Sequence, residues 1–285
     1  MASAAAELPV AMQAVRVAQA GPADSLRLEA GVPVPVPGEG EVLVRNRVAG
    51  VNFIDTYHRS GLYPVAPSPF TPGVEGAGVV AALGPGVTGL RLGDEVSYIT
   101  RPPVGSYAQY TAVHSSRVAA VPPGLNLDQA AASMIQGMTA MALVTQAYPV
   151  APGDVVLVTA AAGGTGRLVA QLAAAAGAHA GIAPSTTSGD GSYNNTITFA
   201  LTLVVADLDI LRLSRNNVRP MRPALWDFIA TREEFESLAS RTLAAVAEGR
   251  LKLHIGGRYP LAEAAEAHRA LEGRRTTGKL LLDVP

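Results

Sequence analysis

The 285-residue sequence predicts an α/β protein in which a β-rich region precedes an α/β segment. The first observation is the stretch from residue 12 to about 121, where short Val- and Tyr-rich runs are separated by Gly and Pro. The second is the change that follows it, a helical pattern at 126–148 and then a β-branched strand that leads directly into an apolar-periodic helix. The β-rich part therefore suits a small, partly open barrel or sandwich, and the part behind it suits a β–turn–α unit.

The elements follow in chain order. The predicted strands of the β-rich part are MQAVRV, EVLVRNRVAGV, GAGVVAAL, DEVSYI and SYAQYTAV. Asn126 or Asp128 is the expected N-cap of the helix at 126–148. A strand at 155–159, a helix at 165–176 that ends at Gly177, and a second strand HAGIA come next. The C-terminal LAEAAEAHRALEGRRTTGKLLLDV predicts a helix, a turn and a final strand.

The composition excludes several classes of function. The net charge of −1 gives no basic surface for nucleic acid or acidic membranes. The chain has no cysteine, which excludes disulfides, thiolate zinc sites and a cysteine nucleophile. The opening MASAAAELPV is not a signal peptide, and no apolar run approaches the roughly 20 residues of a membrane span. We therefore expect a soluble, cytoplasmic protein with no membrane or nucleic-acid partner.

The turn after the strand at 155–159 carries the most specific chemistry. Ala161, Gly163 and Gly166 follow the G-x-G-x-x-G spacing, with alanine in place of the first glycine. Gly163 leaves room for a pyrophosphate, Gly166 lets the helix pack closely on the strand, and the helix N-terminus offers free N–H groups. A tight strand-to-helix turn without a ligand is the alternative. The predicted cofactor-binding residues of this turn are Ala162, Gly163, Gly164, Thr165 and Gly166.

The end of the second predicted strand favours NADP(H) over NAD(H). A dinucleotide site for NAD(H) places an Asp or Glu there to bind the ribose hydroxyls, but Asp190 is the first acid and lies beyond a hydroxyl-rich stretch at 185–188. Hydroxyls can bind a 2′-phosphate that a carboxylate would repel. Ser185 and Thr186 are therefore further candidates for cofactor binding, and a polar loop without such contacts is the alternative.

With these residues in view, the chain resembles the quinone oxidoreductase (zeta-crystallin-like) branch of the zinc-free medium-chain dehydrogenase/reductase superfamily. The resemblance is carried by GVNFIDTYHRSGLYP, TPGVEGAGVVAALGPGV, LGDEVSY, GSYAQYTAV, AAASMIQGMTA, AAAGGTG, RPALWDFIATREE and YPLAEAAEAHRALEGRRTTGKLLL. It implies a GroES-like β-rich catalytic domain, a Rossmann-type cofactor domain, a cofactor and substrate site in the cleft between them, and a homodimer. The expected domains are 1–125 with 223–285 for the former and 126–222 for the latter.

The chain departs from this family between Ala180 and Arg222. The family places several more strands and helices of the Rossmann sheet there, so this chain is dozens of residues short. The lysine that NADPH-specific relatives carry after the second strand would fall near Gly189 and is missing. We therefore expect a truncated Rossmann-type domain that keeps the phosphate half of its site and has an altered adenosine half.

The resemblance also implies the residues that carry the chemistry. Asn52, Tyr57 and Tyr63 are the predicted catalytic residues near the nicotinamide and substrate, with Asn52 also binding the cofactor, and Thr139 is expected to contact the nicotinamide-side phosphate. Ordinary packing is the alternative for each tyrosine, and a hydrogen bond to its own i−4 carbonyl is the alternative for Thr139. In the family the acids at positions 55 and 75 brace turns, so they are left out of the catalytic set.

No metal is expected. Val74 stands where zinc-binding relatives carry a histidine ligand, and His58 and His114 lack acidic or cysteine partners at ligand spacing, which favours structural roles.

The predicted function is NADPH-dependent reduction of a quinone by hydride transfer. The cofactor supplies the hydride, and the site supplies orientation, a dry pocket and hydrogen bonds to the developing oxyanion. One alternative is a 2-enoyl reductase of the same superfamily, so the expected partner is a small quinone or another electrophilic carbonyl or alkene compound. The other alternative is a cofactor-binding or scaffold protein without turnover.

Overall fold

The computed structural model describes residues 8–183, 196–199 and 223–285. The chain divides into two compact units. Unit 1 runs to Ile135 and includes Ile255–Pro285, and unit 2 is Gln136–His254. The candidate cofactor residues Ser185 and Thr186 lie outside the described part of the chain.

The strands and helices alternate along the chain much as the sequence predicts. The strands are β1 (Ala11–Val17), β2 (Leu26–Pro33), β3 (Glu41–Val51), β4 (Glu75–Leu83), β5 (Glu95–Ile99), β6 (Tyr110–His114), β7 (Val118–Ala120), β8 (Val155–Thr159), β9 (His179–Ala183), β10 (Thr196–Phe199), β11 (Ile255–Pro260) and β12 (Lys279–Asp283). The helices are α1 (Phe53–Ser60), α2 (Leu127–Ala142), α3 (Gly164–Ala175), α4 (Arg232–Ala247) and α5 (Ala264–Glu272). None of the helices within the described residues is long and apolar enough to cross a membrane.

The main sheet of unit 1 is built around β3. Its order is β11–β12–β3–β4–β5–β7, and β6 pairs with the first half of β3. β3 has an apolar run at each end, 42–44 and 48–51, and Val42, Leu43 and Val44 are fully buried, as in a central strand that is covered on both faces. β1 and β2 form a separate antiparallel pair.

Both ends of the chain contribute to one apolar core of unit 1. Val15 of β1, Val51 of β3 and Leu280 and Leu282 of β12 belong to one buried cluster, which also includes Tyr107. β12 pairs antiparallel with the second half of β3 and parallel with β11. This core fixes the end of β3, from which α1 begins.

α1 starts immediately after β3. Asn52 is its N-cap, with its backbone N–H donating to Asp55 Oδ2 at 2.8 Å, so the Asp55 carboxylate satisfies a helix-terminal donor. α1 ends at Gly61, whose φ of 85° is the left-handed conformation that glycine adopts without strain. This short helix carries Tyr57 and brings Tyr63 just beyond its end.

Unit 2 contains a parallel sheet with the order β10–β8–β9. β8 runs directly into α3, which buries Leu168, Val169 and Ala173. α3 ends before Gly177, which has a φ of 84° as expected for the residue after the C-cap. The predicted strand, glycine turn, helix and second strand are therefore all present in order.

The borders of the two units differ from the predicted domain borders. They fall within α2, after Ile135, and after His254, whereas the sequence placed them after residues 125 and 222. The stretch 223–254 belongs to unit 2 because α4 buries an apolar face there and because Gln171 of α3 bonds to the backbone of Lys252 at both its N–H and its carbonyl.

Candidate functional site

The turn between β8 and α3 has the geometry of an anion site. Gly163 is the N-cap of α3, with a φ of −73° and a ψ of 164°, and its N–H donates to the Ala160 carbonyl at 2.9 Å. Among the described residues no side chain caps α3, and its first turn contains no acidic residue. The N–H groups of the first helical turn, including those of Gly164 and Thr165, are therefore left for a bound ligand, beside the positive end of the helix dipole.

The glycines of this turn are required for different reasons. A Cβ on Gly166 would lie 2.5 Å from the Ala160 carbonyl oxygen and 2.9 Å from Ala161 Cα, so Gly166 is needed for the packing of the helix on the turn. A Cβ on Gly163 would meet only the Ala160 oxygen, at 3.2 Å, and both Gly163 and Ala162 are exposed. Gly163 thus leaves an open approach to the turn, as the spacing predicted.

The tight bend of this turn is at Ala160, one residue before the first small-residue position of the spacing. Ala160 has a φ of 53°, the left-handed region that non-glycine residues rarely adopt, and Ala161 does not. An alanine held in this conformation costs about 1–2 kcal/mol, so the surrounding packing enforces the turn.

One polar side chain of α2, that of Gln136, lies against this turn. A Cβ on Gly164 would overlap the Gln136 side-chain amide, so Gln136 packs directly on the first residue of α3. Thr139 follows one helical turn later on the same face. Within the described residues, neither side chain has a hydrogen-bond partner, and Thr139 does not bond to the Ile135 carbonyl. Gln136 was not predicted; its signal is the three-residue spacing to Thr139.

The predicted tyrosines form an aromatic surface in unit 1. The rings of Tyr57 and Tyr63 meet edge to face, with centroids 5.4 Å apart and an interplanar angle of 68°. The Tyr63 N–H donates to the Tyr57 carbonyl at 3.1 Å, which holds the segment after α1 against the helix. Tyr63 is 38% exposed, and Phe53, one turn before Tyr57 on α1, is 39% exposed. The structure therefore brings these two candidates together.

The third predicted residue, Asn52, is nearly buried. Its side chain lies in a polar cluster with Glu75 of β4 and Lys279 of β12, and both of these charged side chains are inaccessible to solvent. Asn52 Nδ2 donates to Glu75 Oε1 at 2.7 Å, and Lys279 Nζ donates to Asn52 Oδ1 at 2.8 Å. Lys279 also forms an ion pair with Glu75. Sequence reasoning missed Lys279, whose signal is a charged residue at the start of an otherwise apolar strand.

A second buried chain of polar groups continues from α1. The Tyr107 hydroxyl donates to Asp55 Oδ2 at 3.2 Å and lies 3.1 Å from His268 Nε2 of α5. Burial raises the pKa of Asp55 to about 7, although the Asn52 N–H and the Lys279 charge oppose this rise. Burial also lowers the pKa of His268 to about 3 and raises that of Tyr107. Asp55 Oδ1 and His268 Nδ1 are buried and have no hydrogen-bond partner in the part of the chain that the structure describes.

Val74, His114 and His58 are the residues that were considered for metal binding. Val74 is fully buried. His114 Nδ1 lies 2.7 Å from the Ser116 hydroxyl, and burial, followed by the charge of Arg101, lowers the pKa of His58. Among the residues that the structure describes, no group of three or more His, Asp or Glu side chains could hold a metal ion.

Comparisons with known proteins agree with the division of the chain into a β-rich unit 1 and a unit 2 that contains a parallel sheet. Residues 38–123 match the family described as the alcohol dehydrogenase GroES-like domain, and residues 144–282 match the family described as zinc-binding dehydrogenase. The predicted fold class, a GroES-like domain plus a Rossmann-type domain, is confirmed.

Individual relatives cover nearly the whole chain. A probable quinone oxidoreductase of Schizosaccharomyces pombe is 37% identical, with 94% of this chain and 96% of the relative covered. That alignment spans 320 positions, more than the 285 residues of this chain, so the relative carries residues that this chain lacks. A 2-haloacrylate reductase of Burkholderia sp. is 33% identical, with 88% and 93% covered. A mycobacterial protein solved in complex with NADPH superposes with a TM-score of 0.87 at 32% identity, with 95% and 99% covered. The chain therefore belongs to the quinone oxidoreductase family of the medium-chain dehydrogenase/reductase superfamily.

Proposed function

We propose that this chain is an NADPH-dependent reductase that transfers a hydride to a quinone. The single observation that carries the proposal is the uncapped N-terminus of α3 beside the open Gly163, which is a site for a pyrophosphate. The NADPH complex of the mycobacterial relative and the name of the fission-yeast relative support the identity of the cofactor and of the reaction.

The turn of unit 2 fits the phosphates of a dinucleotide. The first-turn N–H groups of α3 bind the pyrophosphate oxygens, and the absence of a side chain on Gly163 allows them to approach the backbone. Gln136, which packs on Gly164, and Thr139 on the same face of α2 have no hydrogen-bond partner among the described residues, so they offer an amide and a hydroxyl to a ligand. Ser185 and Thr186 are proposed to bind the 2′-phosphate.

The aromatic surface of unit 1 provides the substrate side of the proposal. NADPH, when bound, supplies the hydride. Tyr57 and Tyr63 stack against a planar ring and donate a hydroxyl to the oxygen that becomes negative, and Asn52 orients the cofactor. A hydroquinone anion is a weak base that water can protonate, so these residues need only to position the reactants and stabilise developing charge.

Reduction of an activated alkene is the second candidate. The Burkholderia relative is named for reduction of a 2-haloacrylate, which is an electrophilic alkene. The same hydride donor serves both reactions, and an aromatic surface such as that of Tyr57 and Tyr63 favours a planar ring over a small aliphatic acid.

The test has two stages. NADPH binding is measured first by the change in its own fluorescence, with Gly163→Val as a variant expected to lose binding. NADPH oxidation is then followed with 1,4-benzoquinone, with 2-chloroacrylate and without an acceptor. Oxidation dependent on the quinone supports the proposal, and oxidation dependent only on the acrylate supports the second candidate. Binding without turnover on either compound would identify a cofactor-binding protein instead. Light scattering on the same sample tests the proposed homodimer.

A further inference from the structure

The Asn52 carboxamide is held from both of its ends by groups of opposite hydrogen-bonding character. Glu75 Oε1 accepts from Asn52 Nδ2 at 2.7 Å, and Lys279 Nζ donates to Asn52 Oδ1 at 2.8 Å. A carboxylate can only accept and an ammonium can only donate, so the amide has one orientation here and not its flipped alternative. We refer to Glu75 and Lys279 together as the amide clamp.

The amide clamp is itself fixed within unit 1. Lys279 Nζ also donates to the Val51 carbonyl at 3.1 Å, and Glu75 Oε2 accepts the N–H of Ile135 in α2 at 2.6 Å. Asn52 is 5% exposed, and the charges of Glu75 and Lys279 are both desolvated. A movement of Glu75 or Lys279 that allowed the carboxamide to rotate would separate this buried ion pair. Every acceptor and donor of the clamp therefore has a partner that resists rotation of the carboxamide.

One N–H of Asn52 Nδ2 remains after these bonds are made. Because the clamp defines which end of the amide is which, it also defines the direction of this remaining donor. We propose that Lys279 and Glu75 are positioning residues that orient the free N–H of Asn52 toward the bound cofactor. This inference rests on the proposed function, in which Asn52 binds NADPH.

A paired substitution can invert the amide while keeping the total charge unchanged. In the double variant Glu75→Gln, Lys279→Met, the carbonyl oxygen of the new glutamine must accept the hydrogen bond from the Ile135 N–H. The glutamine NH₂ group therefore faces Asn52. Asn52 must then turn its Oδ1 toward position 75, and its Nδ2 turns toward the site of the lost ammonium. Replacing both members of a buried ion pair by neutral side chains is far less destabilising than removing one of them.

The matched control removes another ion pair that holds α1 but leaves the amide clamp intact. Arg59 of α1 is bound by Glu272 of α5 through two hydrogen bonds, of 2.7 and 3.0 Å. Arg59→Met with Glu272→Gln therefore loosens the same helix by a comparable change in chemistry. Circular dichroism and thermal melting establish that each variant is folded before binding is measured.

The dissociation constant of NADPH is the readout. The Glu75→Gln, Lys279→Met variant should bind NADPH at least about fivefold more weakly than the wild type, the effect of one misdirected hydrogen bond. The Arg59→Met, Glu272→Gln control should change binding by less than about twofold. In an Asn52→Ala background the clamp substitutions should cause no further loss, because the amide they orient is gone.

Three results would overturn the inference. Wild-type affinity in the folded clamp variant, with weakened binding by Asn52→Ala, would show that the clamp is only structural. Wild-type affinity in Asn52→Ala would remove Asn52 from the cofactor site and the clamp with it, while Gly163→Val still reports on the phosphate turn. Failure of the wild-type chain to bind NADPH would reject the proposed function and this inference together.

A measurement on the unmodified chain keeps the inference testable if the clamp variant does not fold. With selective ¹⁵N-asparagine labelling, the two Nδ2 protons of Asn52 are identified by their loss in Asn52→Ala. The proton bonded to Glu75 should exchange slowly with solvent, and the other should shift when NADPH is added. Two unshifted protons at saturating NADPH would refute the orientation role.

Discussion

Asp55→Asn tests the buried polar chain of unit 1 through the pH dependence of folding. Burial is the main cause that raises the pKa of Asp55 from 3.8 to about 7 in the folded protein. The folded state therefore holds this proton more tightly than the unfolded state does, and ionisation of Asp55 costs stability as the pH rises from about 4 to about 7. Asparagine keeps an oxygen that can accept the Asn52 N–H but does not titrate.

The size of the effect follows from the two pKa values. A carboxyl group whose pKa rises from 3.8 to about 7 loses roughly 4 kcal/mol of folding free energy across this window, at about 1.4 kcal/mol for each pH unit. His268 acts in the opposite direction, because its pKa, lowered from 6.5 to about 3, removes stability as the pH falls through the same range. His268 therefore opposes the Asp55 contribution in the wild-type curve. The His268 contribution cancels when the free energy of unfolding of Asp55→Asn is subtracted from that of the wild type. This difference should fall by about 4 kcal/mol from pH 4 to pH 7 and then stay constant.

Urea unfolding followed by far-UV circular dichroism between pH 4 and pH 8 measures this difference. Trp226 is the single tryptophan and lies in unit 2, so its fluorescence reports separately on the unit that does not contain Asp55. Asp94→Asn changes a turn carboxylate of unit 1 that accepts the Arg91 N–H, and it serves as the matched control. A wild-type minus Asp55→Asn difference that is constant with pH, or that increases with pH, would refute the reasoning.

Four further outcomes are expected. Gly163→Val should abolish NADPH binding in a folded chain. Gly166→Ala, whose Cβ would press on backbone atoms, should instead lower the free energy of unfolding by about 1–3 kcal/mol. Equal effects of the two substitutions on the free energy of unfolding would contradict this distinction. Ala160→Gly should stabilise the turn by up to about 1 kcal/mol by relieving its positive φ, as thermal melting would show, and a lower melting temperature would contradict it. Calorimetric titration of both coenzymes should give a preference for NADPH of only about tenfold, since neutral hydroxyls replace a charged partner; tight NADH binding or nanomolar NADPH binding would refute it. Elemental analysis after dialysis against a chelator should find no stoichiometric zinc, given Val74 at the histidine-ligand position, and about one zinc per chain would overturn this.

The sequence was sufficient to predict the elements because their signals are local. The strand before the glycine turn, the helix after it and the close packing at Gly166 all depend on neighbouring residues, and the structure places them as predicted. The spacing did not indicate which residue of the turn is left-handed, and the structure shows that it is Ala160, just before the first small-residue position at Ala161. A spacing rule identifies small residues but not the dihedral angle of each.

The parts that sequence could not supply depend on contacts between distant residues. Lys279 reaches Asn52 across 227 positions of the chain, and nothing near either residue indicates the other. The same holds for Gln136, whose packing on Gly164 depends on the crossing of two helices. The second border between the compact units lies after His254 and not after residue 222, and the sequence around α4 does not indicate which unit its buried face packs in.

The position of β12 in the sheet has a consequence for biosynthesis. Unit 2 is continuous in sequence, but unit 1 is completed only when residues 280–283 pair with residues 48–51 of β3. Until the ribosome has released this strand, half of β3 keeps an open edge that could pair with another nascent chain. Glu75 also lacks its ammonium partner during this interval. Arrival of β12 therefore closes an aggregation-prone edge and neutralises a desolvated carboxylate in a single late folding step.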